Sequence, residues 1–423
     1  MVNRLKEDLI ATGSLGRDPP KRVERYDQLD PQNGVTRPAG TEANQKTRDY
    51  AVERMKEAGL SVSIDTLGNI SGRKEGSQAN KGTVMSGSHL DSVINGGMFD
   101  GALGVFGAIE AVRRMNDEGF ENERPLEIAV FTGEEGSAFS PTLLASSVLA
   151  GKISVHDALN RKNAAGQTLG EVLQNIGYKG SFERSLDDVE YFVEMHVEQG
   201  PILGKEGISV GVVESITGIT WIMLTILGQE NHAGTTPMGM RKDALVAASD
   251  IVSLVNKQAR EMVEKLGSAT VGTVGKLNVF PNGTNIVPGR VEMGIDIRDV
   301  VPENMVSLKN EILEAIKDVE KRHEVDIRVE LPEVHVPAKL SDEVVNTIDS
   351  SARQIGITPR RMNSGAGHDA QNMSKIVKTS MIFVPSVNGI SHAPMEWTNW
   401  EDIEKGVQVL TQTLKNLSRM AKG

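Results

Sequence analysis

The run LEIAVFT at positions 126–132 narrows the possible folds more than any other stretch of this chain. A strand with one wet face alternates apolar and polar residues. A continuous apolar run instead marks a strand covered on both faces, as in a parallel sheet flanked by helices. The neighbouring segments agree. A second apolar strand begins at Val84, and between the two lies a helix from about Leu103 to Asn116. Val105, Ile109, Val112 and Met115 form one stripe along it. Thr41 can cap a helix running to about Ala58, with Gly59 as its stop. SVSIDTLGNISG alternates around a Gly-Asn turn. Tyr191 to His196 and Ser380 to Pro385 read as further strands, and residues 3–13, 341–355 and 400–420 as helices. In the last of these, Val407, Leu410, Leu414 and Leu417 point inward. Strands alternating with helices predict an α/β domain whose central sheet is mostly parallel.

From residue 213 the pattern changes. ITWIMLTIL (219–227) reads as a strand, Asp243 to Lys265 as a helix, Val271 to Val279 and Val291 to Arg298 as strands, Glu303 to Arg322 as a helix, and Val325 to Glu330 as a strand. The order β-α-β-β-α-β is the ferredoxin-like arrangement. We therefore expect a discontinuous domain over 1–212 and 332–423, interrupted by a second domain over 213–331.

Composition excludes several chemistries. The chain has no cysteine, so disulfides, thiol nucleophiles and thiolate ligands are absent, and any metal must be held by His, Asp or Glu. A net charge of -11 and the lack of a basic run argue against a nucleic-acid partner. The first residues carry charges where a signal peptide needs its apolar segment. No stretch approaches about 18 uninterrupted apolar residues, so no membrane partner is expected, and a cytoplasmic location is.

The chemistry sits where the apolar strands end. After the Val84 strand come His89, Asp91 and, past Gly96-Gly97, Asp100. Imidazole and carboxylate suit Zn²⁺, Mn²⁺ or Co²⁺. Asp91 lies two residues from His89, so on an extended backbone both share a face, and its carboxylate can accept the other ring N–H. LEIAVFT runs into Glu134-Glu135 between glycines. Adjacent glutamates are often only a solvated surface, but this pair follows an apolar strand. One can bind metal while the other works on a water. The strand at Tyr191 ends in His196, and His392 in SHAPMEW supplies another ligand type. In open α/β sheets, ligands bind beyond the carboxyl ends of the strands.

The ordered set GSHLDSVINGGMFDGALGV, EEGSAF, VEMHVEQGPIL, NHAGTTPM, GTNIVPGRVEMGIDIRD, SGAGHDA and GISHAPMEW resembles the M20 metallopeptidase-like amidohydrolases over nearly the whole chain. The likeness is greatest to N-carbamoyl-L-amino acid hydrolases, with allantoate amidohydrolases and β-ureidopropionases as close relatives. The resemblance implies two divalent ions (Zn, Mn, Co or Ni). His89 and His196 would bind one, Glu135 and His392 the other, with Asp100 bridging. It implies Glu134 as general acid/base and Asp91 as the orienter of His89. His232 would be the donor to the developing oxyanion, from a homodimer partner docked through the inserted domain. Asn285 and Arg298 would grip the substrate carboxylate, with Gln199, Gly367 and His368 lining the pocket. Many relatives carry an arginine where this chain has Ala138.

The substrate expected on this resemblance is a small N-carbamoyl amino acid or ureido acid, cleaved to amino acid, ammonia and carbon dioxide. Allantoate, β-ureidopropionate and dipeptides compete, because Arg298 and Asn285 suit any small carboxylate. A non-catalytic metal-dependent binding protein is disfavoured, since Glu134 and every ligand type are present. A metal-free esterase would need a G-x-S-x-G elbow, which the sequence lacks.

Overall fold

The computed structural model describes residues 3–78, 80–332 and 335–421. The chain divides into two compact units, Met1–Glu214 with Leu340–Gly423, and Ser215–Lys339. In chain order the strands are β1 (Ser61–Ile64), β2 (Ile70–Lys74), β3 (Thr83–His89), β4 (Leu126–Phe131), β5 (Val189–Val197), β6 (Gly211–Ile216), β7 (Gly218–Leu227), β8 (Asn231–His232), β9 (Val271–Phe280), β10 (Ile286–Val287), β11 (Arg290–Asp299), β12 (Asp326–Glu330), β13 (Ala338–Lys339), β14 (Arg360–Ser364) and β15 (Lys378–Val384).

The sheet of the first unit runs β1-β2-β4-β3-β5-β15-β6, with β14 on β6. Its centre, β4-β3-β5-β15, is parallel, and the outer pairings β1-β2, β2-β4 and β15-β6 are antiparallel. Every residue of β3 and β4 is buried; β4 is the covered apolar strand expected, and in β3 the hydroxyls of Ser86 and Ser88 donate to Val193 O and Glu194 Oε1, each at 2.7 Å. The helix Ala102–Asp117 packs on β3, and the helix Trp400–Arg419 packs on it in turn. Val407, Leu410, Leu414 and Leu417 are all buried.

Register then fixes the site. His89 pairs with Phe131 across β3 and β4, and His196 with Phe383 across β5 and β15. All four central strands therefore release their next residues at one sheet edge. Below that edge the fully buried Arg48 joins the helix Glu42–Glu57 to the β4 exit. It donates to Asn44 Oδ1 (2.9 Å), Gly68 O (2.7 Å) and Thr132 Oγ1 (2.9 Å).

Several elements of this unit lie outside the expectations, among them β6, the helices Leu144–Leu149, Val155–Leu159 and Leu169–Asn175, and β14 and the helix Asp369–Met373 on either side of residues 365–368. β14 carries Arg360, Arg361 and Asn363, and so lacks the continuous apolar signal of a central strand.

The second unit forms the antiparallel sheet β12-β7-β11-β9. With helices Ala244–Leu266 and Pro302–His323, its chain order is β-α-β-β-α-β, the ferredoxin-like arrangement. One sheet face is apolar because β7 and β11 alternate. Ile222, Leu224 and Ile226 meet Val291, Met293, Ile295 and Ile297 beneath Ile251, Val255, Leu308, Ile312 and Ile316. Asp243 caps the first helix by accepting from Leu245 N and Val246 N. The unit reaches Lys339, past the expected 331, because Ala338 and Lys339 pair with Ile216 and Ser215. No described helix is long and apolar enough to cross a membrane.

Candidate metal centre

His89 ends β3, Glu134 and Glu135 follow β4, His196 lies near the end of β5, and His392 sits on the loop after β15. Asp100 returns to this edge on the loop before the helix Ala102–Asp117. Gly101 makes the return possible: its φ is +63°, and a Cβ there would lie 2.4 Å from the His89 ring.

Asp100 is the centre of the cluster. His89 Nε2 is 3.3 Å and His196 Nε2 3.2 Å from Asp100 Oδ1, and His392 Nε2 is 3.3 Å from Asp100 Oδ2. Glu134 Oε2 is 3.6 Å from His89 Nε2, and Glu135 Oε2 is 3.5 Å from His392 Nε2. His89 Nδ1 lies 3.0 Å from Asp91 O, and His196 Nδ1 2.9 Å from Val197 O. Each carbonyl needs a donor, so Nδ1 carries the hydrogen in both rings. Their Nε2 lone pairs then face Asp100 Oδ1, acceptor against acceptor. Only a cation, whether proton or metal ion, makes that arrangement favourable.

The electrostatics express the same shortage of positive charge. Burial lowers the affinity of His89 for a proton, yet Glu134, Asp100 and Asp91 raise its pKa well above the usual value. His196 is raised by Asp100 against burial. The hydrogen bond to Asp100 lifts His392 to about 9. Asp100, despite burial, is held well below the carboxylate range by His196, His392 and His89. Burial drives Glu134 well above its usual value, and burial with Asp100 nearby lifts Glu135 to about 7. Nitrogen and oxygen donors of this kind, without sulfur, fit borderline divalent ions.

Asp91 differs from expectation. Its main-chain carbonyl, not its carboxylate, receives His89 Nδ1; the nearer carboxylate oxygen is 4.0 Å away. β3 stops at His89, so the two-residue alternation that would align the side chains does not continue. The Asp91 carboxylate instead accepts from Glu134 N (3.3 Å) and Glu135 N (3.2 Å), pinning that turn.

Gln199, at φ +58°, donates through Nε2 to Asp100 Oδ2 at 2.8 Å. Its buried Oε1 finds no donor among the described residues. His368 lies buried against His196, with ring centroids 4.6 Å apart, and its Nε2 is 2.9 Å from Ser364 Oγ. Burial and the neighbouring His196 charge push its pKa well down, so it is neutral. Gly367 is half-buried beside it. Ala138, also half-buried, follows Ser137, whose Oγ donates to Ser92 O at 2.8 Å.

In the second unit His232 is exposed on β8. Its Nδ1 accepts from Gly234 N (3.0 Å) and Thr235 N (3.2 Å), so the hydrogen sits on the outward Nε2. Asn285 O accepts from Ala233 N, and β10 pairs with β8 through Ile286 and His232. Arg298 is elsewhere in the same unit, forked onto Asp296 through Nε (2.8 Å) and Nη2 (3.1 Å).

Two buried carboxylates were missed by the sequence reading. Glu194 accepts from Ser88 Oγ (2.7 Å) and Ala370 N (2.9 Å) beneath His196. Glu396 accepts from the backbone beside Asp100. An acid inside the apolar run YFVEMH was the available signal for the first. SHAPMEW offered none beyond proximity to His392.

The model of the peptidase family M20/M25/M40 matches residues 85–416. The sequence is 36% identical over 420 residues to an N-carbamoyl-L-amino acid amidohydrolase of Geobacillus stearothermophilus, covering 98% of each chain. It is 34% identical over 391 residues to the allantoate amidohydrolase of Escherichia coli, covering 92% of this chain and 94% of that one. The crystal structure of an amidase of the hydantoinase/carbamoylase family from Burkholderia multivorans superposes with a TM-score of 0.91 at 36% identity, over 99% of this chain and 98% of that one. The chain belongs to the peptidase family M20/M25/M40.

Proposed function

We propose that this chain is a two-metal amidohydrolase that cleaves the ureido C–N bond of N-carbamoyl-L-amino acids. The observation that carries the proposal is the convergence of three imidazole Nε2 atoms, from His89, His196 and His392, on the one carboxylate of Asp100. Asp100 Oδ1 faces His89 and His196, while Oδ2 faces His392, itself beside Glu135. That division supports one ion with His89 and His196, a second with Glu135 and His392, and Asp100 between them. Two divalent ions held there supply Lewis acidity, polarising the carbonyl and acidifying water.

The chain's own residues do the rest. Glu134 takes the proton from the attacking water and delivers it to the leaving nitrogen. The C–N bond breaks, and the carbamate released decays to ammonia and carbon dioxide. Asp91 fixes Glu134 through its backbone N–H. Gln199 Oε1 accepts from the substrate's ureido N–H. Arg298, its plane set by the Asp296 fork, binds the substrate carboxylate bidentately. His232 donates Nε2–H to the developing oxyanion.

Within the second unit these last contributions divide. His232 and Asn285 sit on the β8-β10 ribbon, joined to the sheet where Gly228 N donates to Gly289 O, beside Arg290. Arg298 is eight residues further along β11, about 26 Å at the usual rise of a strand. A ureido acid is far shorter, so one copy's His232 and Arg298 serve different substrates. This supports a homodimer in which His232 acts on the partner's substrate. The outer strand β9, ten residues long with Val271 and Leu277 exposed, is the edge best suited to pair the copies.

Two outcomes are expected. Metal-stripped protein reconstituted with Mn²⁺, Co²⁺, Ni²⁺ or Zn²⁺ releases ammonia from N-carbamoyl-L-methionine and not from its D-enantiomer. Glu134→Gln keeps its metal and loses about 10²–10⁴ in kcat. Faster release from allantoate or N-carbamoyl-β-alanine moves the substrate, and a variant with most of its rate removes Glu134 from the mechanism.

Metal binding also depends on pH in a defined direction. His392, raised to about 9, and Glu135, raised to about 7, hold protons when metal is absent, and those protons must leave as metal binds. Affinity therefore falls as pH drops from 9 to 6, by about tenfold per unit for each proton displaced. Calorimetry in buffers of different ionisation enthalpy reads the proton count; zero protons at pH 7 contradicts the ligand assignment.

Finally, Glu134→Gln and His232→Ala are each inactive alone. Mixed and reassociated in equal amounts, they recover about a quarter of wild-type activity, because half the dimers are mixed and hold one intact site of two. No recovery contradicts the exchange of His232.

A further inference from the structure

Glu396 is wholly buried and binds no substrate or ion in the mechanism above. Its Oε1 accepts from Phe99 N at 3.0 Å and from Asp100 N at 3.1 Å. Its Oε2 accepts from Ser391 Oγ at 2.7 Å, and that same hydroxyl lies 3.3 Å from Asp100 Oδ2. Glu396 N donates to Ala393 O at 3.0 Å, closing the turn that follows His392. His392 itself is held at φ +54°, a conformation that few residues other than glycine adopt without support. Two segments nearly 300 residues apart in the chain therefore meet on one carboxylate, which touches the residue before His392 and the backbone of Asp100.

The sequence makes room for this contact. A Cβ on Gly97 would lie 2.1 Å from Glu396 Cδ and 2.1 Å from Oε1, so any side chain at 97 displaces the carboxylate. Burial and the neighbouring Asp100 push the Glu396 carboxyl above its usual range, and the hydrogen bonds from Ser391 Oγ, Phe99 N and Asp100 N oppose that rise.

We infer that Glu396 is a positioning residue that fastens Asp100 to the Ser391–His392 turn and thereby sets the spacing of the second ion's ligands. The inference rests on the two-ion reading of the site. It concerns hydrogen-bond geometry, and the amide variant Glu396→Gln separates that from charge. Both main-chain N–H groups go to the same oxygen, so the amide oxygen of that variant can keep both. Its amide nitrogen then donates to Ser391 Oγ, whose own proton turns to Asp100 Oδ2. Glu396→Ala keeps none of these bonds.

The test is Mn²⁺ binding to the metal-free full chain by calorimetry, together with the visible spectrum of the Co²⁺-loaded protein. The wild type is expected to bind two ions in separable steps. Glu396→Ala is expected to bind the first ion normally and the second about 10–100-fold more weakly, as loss of a ligand's supporting partner typically does. The Co²⁺ band added on filling the second site should shift or disappear. Glu396→Gln should restore the second affinity to within about threefold of wild type. Gly97→Ala, which acts on the carboxylate from outside the contact, should reproduce the loss even if Glu396→Ala folds poorly. Unaltered second-ion affinity in Glu396→Ala and Gly97→Ala overturns the inference. So does a Glu396→Gln variant as impaired as Glu396→Ala. A wild type that binds fewer than two ions overturns the two-ion reading itself, which separates the two failures.

Discussion

A carboxylate faced by three imidazole nitrogens, itself buried, is the arrangement around which this protein is built. Asp100 is 4% exposed, and its oxygens lie 3.2–3.3 Å from Nε2 of His89, His196 and His392. An isolated charge in such a place costs several kcal/mol. It persists because positive charge is concentrated on it and because the surrounding backbone is committed to holding it there. Gly101 turns at φ +63° to let Asp100 approach His89, and Asp91 ties the Glu134–Glu135 turn to the same loop.

The parallel sheet is what makes the convergence possible. Strands paired in parallel end at one edge, so ligands far apart in sequence arrive together without long side chains or mobile loops. His89 lies opposite Phe131, and Glu134 follows three residues later; His196 lies opposite Phe383, and His392 follows on the next loop. Rigid strand ends supply the first ligands. The later ones, Asp100 and His392, come from loops and need their own restraint, which is why the buried Glu396 holds the backbone of one and the residue before the other.

Much of this was legible in the chain. Apolar runs mark most of the buried central strands, and the candidate site is legible in the recurrence of His and Glu after several of them, because one polar residue closing a strand is ordinary whereas metal-ligand types closing three are not. The ferredoxin-like arrangement of the second unit is legible in the order of its strand and helix segments. What stayed hidden depended on contacts between distant segments. Nothing local to Glu396 indicates that it binds Phe99 N. The two-residue spacing points the Asp91 carboxylate at His89, but that periodicity ends with the strand at His89 itself. β14, rich in charge, lacked the apolar signal that identified the central strands.

The sharing of Asp100 between two cations is tested most directly by an X-ray structure of Mn²⁺-loaded protein with anomalous data at the manganese edge. Two difference peaks are predicted, one beside Asp100 Oδ1 within reach of His89 and His196, the other beside Oδ2 within reach of Glu135 and His392. A single peak, or peaks away from Asp100, would contradict the bridging role.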